Sequence, residues 1–258
     1  MAAETFSQGP SQTQGPQTEG PRSQGAKAMG AKAQAAKTQA TVRAFASRRS
    51  HVIYRSLQRE IVLGMLAPRS ALLELELANR FEVSQGTVRE ALLLLQEEGL
   101  VHRMAHRGTV IADCRAEDAE ELIRLRHDIE CRGVRRAMAR RGGALAEDLR
   151  RHLGAMQAAA AAGDEYLLSV HDRAFHTGLF EQADLPPVQP MLARCLIHAH
   201  RFKILHPEQQ RDLLETANRH QGIIEAVAAG DAEAAVSALS HHITTIVDFG
   251  PSVIGGAA

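Results

Sequence analysis

The chain has 258 residues, 45% of them hydrophobic and 23% charged, with 30 basic side chains balanced by 30 acidic ones. That length suggests one or two domains with ample chain to bury a core, and no run approaches the roughly 18 apolar residues of a membrane span. Three widely spaced cysteines, Cys114, Cys131 and Cys195, give neither a disulfide frame nor a thiolate zinc knuckle, and no secretory pattern opens the chain, so a cytoplasmic protein without a membrane is expected.

The zero net charge conceals a division. Residues 1–40 carry a net +2, residues 41–112 hold ten arginines against seven glutamates, and residues 113–258 carry a net −5. A basic segment joined to an acidic one fits a DNA-contacting module followed by a module of another purpose. Residues 1–45 are read as a disordered tail, because a Gln, Gly, Ser, Thr, Pro and Ala composition buries too little apolar surface to offset the entropy of ordering.

From about Arg48, Val52, Ile53, Leu57, Ile61 and Val62 recur at helical spacing up to Gly64. A short second helix follows from Glu74 to Phe81, with Leu75, Leu77, Ala78 and Phe81 as its apolar residues. Ser84 is a good N-cap for a third, Gln85 to about Glu97, buried through Val88, Leu92 and Leu95 and stopped at Gly99. Leu100–Arg103 and Thr109–Ile111 read as two short strands joined by a turn with Gly108. Three helices and a small hairpin over 46–112 outline a winged helix-turn-helix.

These residues carry a resemblance. The stretch Ile61–Val110 resembles the DNA-binding domain of GntR-family transcription regulators through Leu77-Ala78, Val83-Ser84, Val88-Arg89-Glu90-Ala91-Leu92 and Glu98-Gly99-Leu100-Val101. Ser84, Gln85, Thr87 and Arg89 then sit at the start and exposed face of a recognition helix aimed at the major groove. Arg89 is placed to read a guanine edge or grip a phosphate, and Ser84 and Thr87 offer hydroxyls to phosphates. His106 and Arg107, before the wing glycine Gly108, reach for the minor groove or backbone. Two departures stand out: Gln85 where the family usually has Arg, and Pro68-Arg69 where it usually has Pro-Gly. Glutamine reads adenine where arginine reads guanine, so the first predicts a shifted operator.

Beyond Asp113 the chain reads as an all-helical bundle over 113–250, followed by a flexible end at 251–258. Helices are placed near Ala116–Arg140, Ala144–Ala162, Asp164–Gln182, Val188–Leu205, Glu208–Ala229 and Asp231–Phe249, punctuated by Gly and Pro. The fold class is therefore mainly α. Asp172 and His176 are four apart and interrupt an apolar stripe of Leu168, Phe175 and Leu179. His242 falls on the inward face of the last helix and His220 shares a face with Ile223, Ile224 and Val227. One carboxylate and three imidazoles from three helices suit a borderline divalent ion, zinc or nickel. The competing reading is an ordinary Asp–His pair with structural histidines. His198 and His200 are two apart, so at most one lines a pocket.

This half is similar to the FCD effector domain of FadR-like GntR regulators, over roughly Ala116 to Phe249. The similarity rests on Leu125-Arg126, Ile129-Glu130, Asp172-Arg173-Ala174-Phe175-His176, Arg219-His220, and Gly230-Asp231 followed by His242. It implies Asp172, His176, His220 and His242 as ligands of a metal, with a small organic acid bound beside it. Asp184-Leu185-Pro186 departs from the family's Gly-Asn-Pro and leaves the end of the preceding helix open. Arg126 is the candidate partner of an effector carboxylate, and the competing reading pairs it with Glu130 one turn on.

The expected function is a ligand-responsive repressor, a homodimer whose recognition helices read a double-stranded operator and whose metal-containing domain senses a small carboxylate metabolite. The alternative is a metal-dependent hydrolase with an accessory DNA-binding domain. No separate general base is evident for it, so no enzyme is expected.

Overall fold

The computed structural model describes residues 48–104, 108–141, 143–206 and 212–245. The expected tail, the flexible C-terminal end, His106, Arg107 and the first residues of the helix expected from Glu208 lie outside these residues; the last helix, expected to reach Phe249, ends at Thr244 with Thr245 as its C-cap.

Helix α1 spans 48–62 and buries Ile53, Leu57, Ile61 and Val62. Val52, expected on that face, is exposed. Each fully buried Leu or Ile contributes about 1.5–3 kcal/mol relative to an exposed one. Strand β1 (Ala71–Leu72) was not expected, because two residues are too short to show alternation. It pairs with β3 (Gly108–Ile111), which pairs on its other side with β2 (Val101–Met104), giving an antiparallel sheet of order β1-β3-β2. The register sets Leu72 against Thr109 and Val101 against Ile111.

Helices α2 (Glu74–Arg80) and α3 (Gln85–Glu97) stand between β1 and β2. In α2 only Leu77 and Ala78 are buried; Leu75, another of its apolar residues, is exposed. Ser84 caps α3 by accepting from the Thr87 amide at 3.2 Å. At its other end Gly99 takes a left-handed φ of +75°. The Leu100 amide donates back to the Leu95 carbonyl at 2.9 Å and the Gly99 amide to that of Gln96, the closure a glycine at this position makes possible. Leu100 is thereby driven into the core.

The second half comprises α4 (Ala116–Arg141), α5 (Gly143–Ala161), α6 (Glu165–Glu181), α7 (Gln189–Leu205), α8 (Leu213–Asn218), α9 (Gln221–Ala229) and α10 (Ala232–Thr244). Aspartates cap three of its helices: Asp164, Asp212 and Asp231 accept from amides at the start of α6, α8 and α10. The helix expected over Glu208–Ala229 is instead α8 and α9, with a turn at Arg219 and His220. Phe175, Leu179, Phe180, Leu196, Ile224 and Leu239 lie in the bundle core. The winged half has its own core, which Tyr166 of α6 and Ile197 of α7 enter. Helices α6 and α7 thus face both the bundle interior and the winged half.

Candidate metal centre and nucleic-acid face

Asp172 and His176 stand one turn apart on α6, His220 comes from the turn before α9, and His242 from the last turn of α10. All four are at most 4% exposed, and one ligand atom from each lies within 4.8 Å of the others. His176 Nε2 is 3.3 Å from His242 Nε2, and His220 Nε2 is 3.1 Å from Asp172 Oδ1.

Outer partners fix two of the rings. His176 Nδ1 donates to Glu130 Oε2 at 2.6 Å and His220 Nδ1 to the Ala217 carbonyl at 2.9 Å. An oxygen acceptor on Nδ1 places the proton there and leaves the Nε2 lone pair for the centre. The break between α8 and α9 makes the second of these bonds possible, because it turns the His220 ring back over Ala217. Asp172 Oδ2, His220 Nε2 and His242 Nδ1 are buried without a well-directed hydrogen bond. Buried orphan polar atoms are costly, and a divalent cation would satisfy the first two. The donor set, three imidazoles and one carboxylate, fits such an ion.

Protonation states agree. Burial alone would raise the Asp172 carboxyl, but the imidazoles of His200 and His220 outweigh it and hold it well below the usual range. Burial pushes His242 down, reinforced by repulsion from His220 and His176. Burial also lowers His176. Neutral His176 and His242 beside an ionised Asp172 are the forms that ligate metals.

Arg126 of α4 is fully buried. Its Nε donates to Glu130 Oε1 at 2.5 Å, its NH2 donates to His176 Nε2 at 2.8 Å, and its NH1 has no partner. The pairing with Glu130 is the one its sequence spacing offered. Glu130's second role, steadying His176, joins α4 to α6 and had no signal in the sequence. Against the cost of burial, His176 and Arg126 hold the Glu130 carboxyl down at about 2. His200, of the two α7 histidines, is the one that reaches the centre: its Nε2 lies 3.0 Å from Asp172 Oδ2. Burial pushes it down to about 4 against the pull of Asp172. His198 turns away and bonds the Glu98 carbonyl at 2.9 Å. An opening lined by Ser169, Asp172, His200, Lys203 and Thr216 leads toward this side of the cluster.

The same α7 grips the end of the winged half. Arg201, next in sequence to His200, donates from NH2 to the Ala112 carbonyl at 2.8 Å and from NH1 to that of Asp113 at 3.1 Å. Leu205 sits where a Cβ on Gly64 would fall, and the Arg194 guanidinium lies over Gly99. From α6, the Tyr166 hydroxyl donates to Gln58 Oε1 at 2.7 Å, and Gln58 Nε2 donates to the Glu98 carboxylate at 2.7 and 2.8 Å. The Tyr54 hydroxyl completes this network at 2.5 Å from Glu98 Oε1.

On the winged half, Ser84, Gln85 and Arg89 are exposed at the start of α3. Thr87 differs from expectation: it is buried, and its hydroxyl meets Ser84 Oγ at 3.0 Å, so it serves the cap. Arg89 Nε donates to Glu74 Oε2 at 2.6 Å, and Arg103 NH2 of the wing strand lies 3.6 Å from Glu74 Oε1. Glu74 therefore braces two cations from different elements. Gly108 opens β3 with a left-handed φ of +72° and no atom near a Cβ position. His106 and Arg107 lie outside the described residues.

Residues 49–111 match the family of bacterial regulatory proteins named gntR, and residues 121–245 match the FCD domain. The probable D-xylose utilization operon transcriptional repressor of Paenarthrobacter nicotinovorans is 28% identical over 71% of this chain and 80% of its own length. The transcriptional repressor GlaR of Escherichia coli is 26% identical over 74% and 91%. The crystal structure of a putative GntR transcriptional regulator from a Rhodococcus species superposes with a TM-score of 0.62 at 27% identity, covering 76% of this chain and 94% of that one. Among the described residues no helix is long and apolar enough to cross a membrane. These domains and relatives are those of transcription regulators, against the hydrolase alternative. The chain belongs to the GntR family of transcription regulators, with an N-terminal DNA-binding domain and a C-terminal FCD domain, and is not an enzyme.

Proposed function

We propose that this regulator is a cytoplasmic homodimeric repressor whose FCD domain holds a zinc or nickel ion and senses a small organic acid. The observation that carries the reading is the convergence of Asp172, His176, His220 and His242 in a buried site whose neighbour His200 precedes the Arg201 clamp. The ion supplies a Lewis-acidic position for a carboxylate. The protein's residues do the rest. Arg126 meets the acid's carboxylate, and Ser169, His200 and Thr216 line its approach. A shift of α6 or α7 at the centre displaces Tyr166 and Arg201, and with them the seat of the winged half. Two such halves, in register with a pseudo-palindromic operator, lose their spacing and release DNA. Coupling of this kind is worth about 1–3 kcal/mol. At the DNA, Arg89 and Gln85 read base edges, Ser84 and Thr87 support the helix start at the phosphates, and His106, Arg107 and Gly108 form the wing contact.

Native mass spectrometry of the full chain, compared with its denatured mass, tests this. The expected result is a dimer carrying one ion per chain, absent from His242→Ala. A metal-free dimer after incubation with zinc and with nickel overturns the sensor reading and leaves the histidines structural.

A further inference from the structure

The His176 ring has two nitrogens and three suitors. Nδ1 gives its proton to Glu130, which leaves one in-plane lone pair on Nε2. Arg126 NH2 donates into that lone pair at 2.8 Å. A guanidinium has no acceptor and does not lose its proton, so the sense of this bond is fixed. A coordinated cation needs the same lone pair. The two uses exclude each other.

We propose that Arg126 is a built-in competitor for the ion, and that metal loading frees its guanidinium to bind a carboxylate. This rests on the metal reading above and specifies how the site is regulated. Electrostatics act in the same direction, since Arg126 and a divalent cation repel strongly where neither is exposed to solvent. Glu130 makes the exchange feasible. It holds Arg126 through Nε and His176 through Nδ1, so both stay anchored when the NH2 contact opens. NH1 already lacks a partner although fully buried. With NH2 released, the NH1–NH2 edge matches the two oxygens of a carboxylate. The ligand class is then a carboxylate anion that binds the metal-loaded protein in preference to the metal-free one. By linkage, the anion must also tighten the ion.

The test measures zinc affinity of the full chain by competition with a chromophoric chelator, in wild type and in Arg126→Met. Removing the competitor should tighten zinc on the order of tenfold, the scale of outer-shell effects on metal sites. Equal or weaker binding by a folded Arg126→Met overturns the proposal, while the metal reading stands. Absence of zinc binding in both proteins overturns the metal reading and this one together. Should Arg126→Met fail to fold, X-ray absorption on the cobalt-loaded protein decides. One imidazole more in wild type than in His176→Ala shows that His176 has exchanged Arg126 for the ion; equal counts show that Arg126 keeps the lone pair, and sink the idea.

Discussion

Two arginine–glutamate pairs in this molecule have nearly the same contact and opposite settings. Arg126 and Glu130 meet at 2.5 Å with side chains 0% and 1% exposed. Arg89 and Glu74 meet at 2.6 Å with side chains 55% and 24% exposed. The first pair has given up its hydration, so each partner depends on the other and on His176. The second remains hydrated, so on the proposed reading DNA phosphates or base edges would replace Glu74 at little cost. Identical chemistry thus yields a buried, mutually dependent pair in the bundle and an exposed, exchangeable one on the winged half. The difference is solvent.

The largest effect that would break this contrast is expected at Glu130. Glu130→Ala leaves Arg126 as an unpaired cation in the bundle core, which should cost about 3–5 kcal/mol of stability. Urea unfolding followed by circular dichroism measures it. A loss below about 1 kcal/mol would mean that Arg126 escapes to water and that the two pairs do not differ as argued.

Next is the ion itself. With zinc at a hundredfold excess over its Kd, wild type should gain about 2.7 kcal/mol, removed by chelator. His242→Ala should show neither the gain nor its removal in the same thermal melts. A chelator effect that persists in His242→Ala would place the ion elsewhere.

Much of this was legible in the sequence, for reasons tied to period. Asp172 and His176 at four-residue spacing, interrupting Leu168, Phe175 and Leu179, mark an inward polar pair on α6, and His242 follows from the same logic on α10. The boundaries of α3 followed from Ser84 and Gly99, residues with strong conformational preferences. What escaped depends on contacts between elements. Glu130 bridges α4 to α6, and His200 reaches Asp172 from α7, and no local pattern encodes either. Periodicity also does not separate the exposed Leu75 and Val52 from their buried neighbours, since an apolar residue beside a stripe resembles one within it. The α8–α9 break at Arg219 and His220 carries neither Gly nor Pro, so no local signal marked it. Thr87 reads as a DNA contact by its place at the helix start, yet that place also puts its hydroxyl within reach of Ser84.

On the DNA face, Arg89→Ala should weaken operator binding by about 1–3 kcal/mol while the folded protein retains its metal. Gln85→Arg sharpens the point from the other side. It should move preference at one operator position from adenine toward guanine by a similar amount and steepen the salt dependence by about one phosphate equivalent. Binding titrations across a set of operator variants at two salt concentrations separate the two effects. An unchanged preference would remove Gln85 from the base-reading set.

The smallest effect is expected at Glu74, and it bears most directly on the contrast between the pairs. An exposed ion pair is worth at most about 1 kcal/mol, so Glu74→Gln should barely change the urea midpoint, unlike Glu130→Ala. Its consequence should appear in binding instead. Glu74 holds Arg89 and Arg103 from two elements, so neutralising it removes an anion from the surface that phosphates approach. Affinity for random-sequence DNA should therefore rise, because that binding is set by charge. Discrimination between operator and random DNA should fall, because Arg89 loses the partner that orients it. A stability loss comparable to that of Glu130→Ala, or unchanged discrimination, would show that Glu74 acts as part of the fold and not as a brace for the DNA-reading side chains.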